Sequence, residues 1–574
     1  MSILLLTIPL RPSMVPHTTT IEARPASSPP TNFATLIAFS PAIILFIIGG
    51  ISEITAPGLY MDAINPDYAV VRALNPGTTT PAWTLPGTLL FDLFPIIGQV
   101  YHGALPFYMG LPSYALFGTG VIGIRLTNII FGLAVLISTA VFLRAFRVRL
   151  LISGTFLAAL ALDPGFLFSF RSQFYITLLP ITFVFLSIAL VEHHRGAPPT
   201  VRVAMAAGFL AGFAVYGYFI HAFLTPTAAL HALWRWRNST DRLRTATWWI
   251  IGFALGGSPY VVGLGLVYIA TGGLAGFLAF LTGNVKTLAV SSSPLSLAER
   301  AVYAANMVQW TVLDVGPSLA MLRKMVASAF PNVRLALLLG VPALGLMLNL
   351  ARRPRSPGLF VAAGLFLGIS TLIMIFGTRV WLHHAILFLP ILYVALALTV
   401  ELLAIHIAAR GIILVGVILL ATPLFAVNLV NRQAMLFELG RTGGVGLASD
   451  AIVRFSEDGL RNTAPTHAFF PDWGIFMAFE MITRGRIPLT TTFTPQEARQ
   501  VLCRGKDALL GIMDGAVEGQ PEPARVADPT RLPKWIAEVE WGQPEITVYR
   551  QRDGMPVMSA VRWRASEPAH VPCP

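Results

Sequence analysis

Two carboxylates, Asp62 and Asp67, stand close together in "GLYMDAINPDYAVVRALNP", residues 58–76, shortly after the apolar run "FATLIAFSPAIILFIIGGIS". A carboxylate held at a membrane surface suits general-base chemistry, because it can take the proton of an attacking hydroxyl. The two acids differ in their local context. Asn65-Pro66-Asp67 has the form of a helix start, with Asn as the cap, Pro at the first helical position and an acid in the first turn. The helix "YAVVRAL" would then end at Asn75-Pro76-Gly77. Asp67 therefore has a structural role as well founded as a chemical one. Asp62 precedes the cap and has no such role, so it is the favoured base, with Asp67 in reserve.

If the electrophile is a lipid-anchored sugar phosphate, the departing phosphate needs cationic or hydrogen-bonding groups. The candidates are Arg171, Lys286, Arg379, His383 and His384. The run "TRVWLHHAILFLP" puts three of them beside a Trp at the mouth of an apolar segment, where interfacial anchoring is the competing use. Arg125, in "FGTGVIGIRLTNIIFG", lies inside an apolar run near its outer end and is a further binding candidate; a snorkelling arginine is the alternative. Asp163, in "LALDPGFLFSFRS", precedes Pro164, which frees backbone groups beside it, so a local structural partner is equally expected. The sequence has no Walker-type phosphate loop, no His/Cys/Glu metal signature and no serine triad. A divalent metal is compatible with the chemistry but not indicated.

These groups need elements to position them. Of 574 residues, 55% are hydrophobic and 12% charged, and the mean hydropathy is +0.69. Soluble domains carry roughly 25% charged residues, so the chain reads as an all-α polytopic membrane protein. With about 20 apolar residues per crossing, about eleven spans are expected, near 33–51, 119–143, 150–170, 174–191, 202–218, 220–234, 247–270, 334–351, 357–377, 383–404 and 410–429. The net charge of +12 gathers in alternate short loops, at Arg144, Arg147 and Arg149, Arg195 and Arg202, Arg235 to Arg244, Arg352 to Arg355, and Arg410. That asymmetry makes these loops cytoplasmic and removes the need for a nucleic-acid partner.

Residues 1–32 then form a flexible cytoplasmic tail, and 33–430 a transmembrane domain with outer-face loops at 52–118 and 271–333. Residues 431–574 lie outside as a small α/β domain. Both cysteines, Cys503 and Cys573, fall there and could pair if that side is oxidising. The only Asn-x-Ser/Thr sequon, at Asn238, sits in an expected cytoplasmic loop, so a bacterial inner membrane is the simplest setting.

Four places carry a resemblance to the GT-C superfamily of integral-membrane glycosyltransferases, in particular its bacterial protein mannosyltransferase and aminoarabinose transferase group. "GLYMDAINPDY" follows the first span, where that family has an acidic motif. "YHGALPFYMGLPSYALFGTGVIGIRLTNIIFGL" is similar to its Tyr-x-Gly, Pro, Phe-Gly and Arg-Leu pattern. "LDPGFLFSFRSQFYITLLPITFVFLSIAL" and "RVWLHHAILFLPILYVAL" resemble later spans. The likeness covers roughly residues 33–430. It implies a polyprenyl-phosphate-linked sugar donor, a glycan, lipid or protein acceptor, surrounding membrane lipids, and Asp62 as base by position. Two departures stand out: the usual Glu after the first Asp is Ala63, and "RSQFYIT" lacks an acid.

Two other readings compete. A transporter or lipid-sugar flippase would bring Asp163 and Arg125 to one mid-membrane cavity. A non-catalytic assembly protein would leave Asp62 freely replaceable.

Overall fold

The computed structural model describes residues 32–78, 83–195, 200–288, 295–326, 328–351, 355–405, 410–472, 474–513, 531–567 and 573. The expected N-terminal tail lies outside them, apart from Asn32. Among the described residues, eight helices are long and apolar enough to cross a bilayer: Phe33–Ile51, Val121–Ala145, Phe174–His193, Arg242–Ala270, Pro331–Ala351, Pro357–Arg379, Leu382–Ile405 and Gly411–Thr442. The chain is an all-α polytopic membrane protein with a small C-terminal sheet region.

Each of the eleven expected segments falls on a helix, but three are shorter than a full span. The segment near 150–170 breaks at Asp163-Pro164 into Leu150–Leu162 and Pro164–Ser169. Pro164 has no N–H to continue the first helix, and Asp163 caps the second by accepting from the Phe166 N–H at 3.2 Å. The segment near 220–234 is a 3₁₀ turn, Phe219–Phe223, followed by Thr225–Trp236. Helix Val201–Gly217 packs against Arg242–Ala270 through paired small residues, Gly208 and Gly212 on one and Gly252 and Gly256 on the other. A side chain at any of the four would strike the partner backbone, so the glycines set the close approach, as in small-xxx-small membrane contacts.

Two boundaries differ from expectation. The segment 271–333 is largely helical, with Leu274–Leu288, Leu297–Val312 and Val315–Leu322. The last bundle helix does not stop near 429; it runs from Arg410 to Thr442 and ends at Gly443 and Gly444, both with positive φ.

Beyond it lies a five-stranded mixed sheet: β1 (Thr466–Phe469), β2 (Leu489–Thr490), β3 (Asp507–Met513), β4 (Glu545–Arg550) and β5 (Pro556–Trp563), in spatial order β2-β1-β3-β5-β4. The first three are parallel; β5 and β4 run antiparallel at the edge. Cys503 and Cys573 form a disulfide across this region. The sheet region shares one apolar core with the first loop: Leu59, Ile64, Tyr68 and Val70 pack with Leu447, Ile452, Phe476 and Met481. The Gly58 N–H donates to the Ala448 carbonyl at 2.8 Å, and the Tyr68 hydroxyl donates to Glu480. The first loop is thus clamped from outside the bundle.

Candidate active site

The "GLYMD" stretch enters a short helix, Met61–Ile64, one residue after Tyr60, which has extended backbone. Met61, Ala63 and Ile64 face the core, and Asp62, between them, keeps partial solvent access. Its carboxylate makes no hydrogen bond or ion pair with any described residue. Burial nevertheless pushes its pKa up to about 6, opposed by the nearby Arg323 guanidinium. Asp62 is thus a partly buried carboxylate that still reaches solvent.

Around it stand Tyr60, Tyr101, Tyr218 and Arg323, all within electrostatic range of Asp62. From Tyr60 a chain of hydrogen bonds runs inward. The Tyr60 hydroxyl donates to the Gln173 Oε1 at 2.9 Å, and the Gln173 amide nitrogen stands 3.4 Å from His383 Nδ1. The rings of His383 and His384 lie 3.8 Å apart. His384 Nε2 is 2.9 Å from the Tyr218 hydroxyl, and its Nδ1 accepts from the Trp381 N–H at 2.9 Å. An Nδ1 that accepts carries no proton, so the neutral ring is protonated at Nε2 and donates to the Tyr218 oxygen. The Tyr218 O–H then remains available to donate to another group. Tyr101 and His102 complete an aromatic wall, with ring centroids 5.8 Å and 6.0 Å from Tyr218.

The other sequence candidates divide. Asp67 is fully buried and starts no helix, because the following helix begins at Val70 with Ala69 as its cap. The Asn65-Pro66-Asp67 start is corrected accordingly. Instead Asp67 accepts from the Tyr175 hydroxyl, with Tyr114 beside it, and burial pushes its pKa up to about 7. Arg125 is buried and donates to the carbonyls of Arg171, Pro57 and Gly58 at 2.9, 2.6 and 3.2 Å. Arg171 donates to the carbonyls of Gly49, Gly50, Ser52, Glu53 and Ala56. Both arginines therefore fasten the backbone leading to Asp62, which leaves them no open face for substrate. His383 and His384 belong to the cluster around Tyr218. Arg379 is exposed and no hydrogen bond or ion pair joins it to a described residue. Lys286 falls in the last turn of Leu274–Leu288, and its side chain lies outside the described residues.

Arg323 had no signal in the sequence, since it sits in the largely apolar stretch "SLAMLRKMVASAF", which carries no motif. It closes helix Val315–Leu322 in the left-handed region, φ 55°, and Asp314 opens the same helix at φ 59°. Left-handed backbone is costly for residues other than glycine, so tertiary contacts must hold it. Asp314 supplies them: it accepts from Arg334 and from the Gly165 N–H at 3.0 Å. Arg334 also donates to Asp163 at 2.7 Å, and the Tyr393 hydroxyl does the same at 2.7 Å. Asp163 and Arg125 thus have separate partners, contrary to the shared cavity a transporter would need.

Together these features define a multi-pass membrane protein in which Asp62, without a hydrogen bond or ion pair among the described residues, stands beside a cluster of tyrosines and histidines. Its fold is the one found in ArnT from Cupriavidus metallidurans. The crystal structure of that protein bound to undecaprenyl phosphate matches with a TM-score of 0.54 at 12% identity, over 94% of this chain and 99% of that one. The apo crystal structure matches with a TM-score of 0.52 at 12% identity, over 92% and 98%. The cryo-EM structure of the arabinofuranosyltransferase AftD from Mycobacteria covers 93% of this chain and 40% of that chain, at a TM-score of 0.48 and 14% identity. No protein-family model and no curated protein matches the chain.

Proposed function

We propose that the protein is a glycosyltransferase of a bacterial inner membrane. It moves a sugar from a polyprenyl-phosphate donor to a hydroxyl of an envelope glycan, lipid or protein on the outer face. The observation that carries the reading is the unpaired Asp62 carboxylate, raised to about 6 and facing Arg323. A base with that proton affinity is ionised at pH 7 and close enough to neutrality to accept a proton in the transition state. The undecaprenyl phosphate bound to ArnT supports a lipid phosphate as the donor's leaving group.

In the proposed step the acceptor O–H gives its proton to Asp62. Its oxygen bonds to the anomeric carbon while the carbon–phosphate-oxygen bond breaks. The electron pair leaves with the polyprenyl phosphate, whose charge Arg323 and the Tyr218 O–H stabilise. One displacement inverts the anomeric configuration. Aromatic faces of Tyr101 and Tyr218 suit the apolar face of a sugar ring. The test is mass spectrometry of envelope glycans, lipids and proteins from cells with and without the gene. Transfer predicts one sugar missing from one acceptor, restored by the wild-type gene; an unchanged envelope contradicts it.

A further inference from the structure

A second feature lies away from that site. A groove of 440 Å³ runs along the lipid-facing side of the bundle between helices Leu150–Leu162 and Arg410–Thr442. Its lining is apolar apart from two threonines, with Leu151, Ile418 and Leu429 about half exposed to the hydrocarbon. A lipid-facing groove alone says only that lipid touches it. One end of it says more. Arg432 stands one turn beyond Leu429, on the same face of the helix. It is only 5% exposed, its Nε has no hydrogen-bond partner, and no ion pair reaches it from any described residue.

Helical side chains lean toward the N-terminus of their own helix, so Arg432 lies over the turn that carries Leu429. Its guanidinium lies beside Gly49, near the C-terminal end of helix Asn32–Ile51. Arg171 is close enough to act on it electrostatically, adding positive charge at the same end. A largely buried guanidinium with no counter-ion among the described residues carries a desolvation cost that an anion would offset. What the place lacks is an anion at headgroup depth with hydrocarbon below it.

We propose that this groove is a binding site for one anionic glycerophospholipid, its phosphate on Arg432 and one acyl chain in the groove. Charge selects the headgroup: the amine of a zwitterionic lipid would face two guanidiniums, whereas a singly anionic phosphate complements them. The groove's 440 Å³ has room for one acyl chain along its apolar lining. Arg323, not Arg432, is the charge that acts on Asp62, so the site is separate from the proposed transfer site. The bound lipid would fasten the last bundle helix to the first, next to the backbone that Arg171 clamps.

The test uses the full chain purified in detergent, delipidated and examined by native mass spectrometry with added phosphatidylglycerol, phosphatidylethanolamine or polyprenyl phosphate. The expected result is retained phosphatidylglycerol, weakened roughly tenfold or more in Arg432→Gln, the scale of a charge-assisted hydrogen bond lost. Ala426→Trp, which fills the groove, should weaken it as well. Without lipid, Arg432→Gln should melt no earlier than wild type, because it removes an unpaired buried charge. Four results overturn the proposal: equal retention by wild type and Arg432→Gln, equal retention of phosphatidylethanolamine, Arg432-dependent preference for polyprenyl phosphate, or early melting of lipid-free Arg432→Gln.

Discussion

At the scale of single residues, the two loop acids have different work. Asp62 is open to an incoming group; Asp67 is sealed against Tyr175 and Tyr114. The sequence separated them because only Asp67 lay in a helix-start pattern; no helix starts there, and Asp67 is held by tyrosines brought from distant helices, not by a cap. Its raised pKa has a stability consequence. The unfolded carboxyl titrates near 4 and the folded one at about 7, so the folded state binds more protons between them and stability falls as pH rises across that window. Asp67→Asn should flatten this slope in thermal unfolding between pH 5 and 8, while Asp67→Ala should lose about 1–3 kcal/mol at every pH by stranding the Tyr175 hydroxyl. Tyr218 owes its place in the site to His384, a partner that spacing does not reveal. Tyr218→Phe should keep the fold and lower turnover roughly tenfold or more, with a steady-state assay as the check; wild-type turnover would remove Tyr218 from the site.

At the scale of elements, hydropathy located the helices well, because each crossing needs a long apolar run whatever it packs against. It could not see breaks that buried polar partners make tolerable. The turn at Asp163-Pro164 is one: "LALDPGFLF" reads as a continuous apolar run, and only Arg334, Asp314 and Tyr393 explain how a carboxylate survives inside it. The same network fixes helix Val315–Leu322 and so places Arg323 opposite Asp62. It joins one guanidinium to two carboxylates, so its members are not equivalent. Removing one partner of a buried ion pair typically costs 3–5 kcal/mol, and Arg334→Met strands both acids. This variant should show that order of loss in detergent unfolding. Asp314→Asn, which keeps the cation paired with Asp163, should lose clearly less. Equal losses would mean the two acids do not depend on Arg334 as described.

At the scale of the whole molecule, the expected boundary at 430 between bundle and outer domain does not separate two cores. The last bundle helix continues to Thr442, and the sheet region completes its packing against the Asp62 loop through Tyr68, Ile452 and Phe476. Nothing in the sequence shows this, because each half carries its own local pattern and only their contact reveals the shared core. Truncation after Thr442 should therefore unfold the first loop and abolish activity together, seen as new protease cleavage near residues 58–76. Resistance to cleavage there would mean the loop stands alone. The central claim is that Asp62 is the base. It is tested most directly by purified Asp62→Asn with a polyprenyl-phosphate sugar, measuring donor binding and turnover side by side, with a wild-type pH–rate profile. The account predicts unchanged donor binding, turnover down roughly 10²–10⁴-fold, and a wild-type kcat/KM that falls as pH drops below about 6. Turnover by Asp62→Asn at the wild-type rate would contradict it.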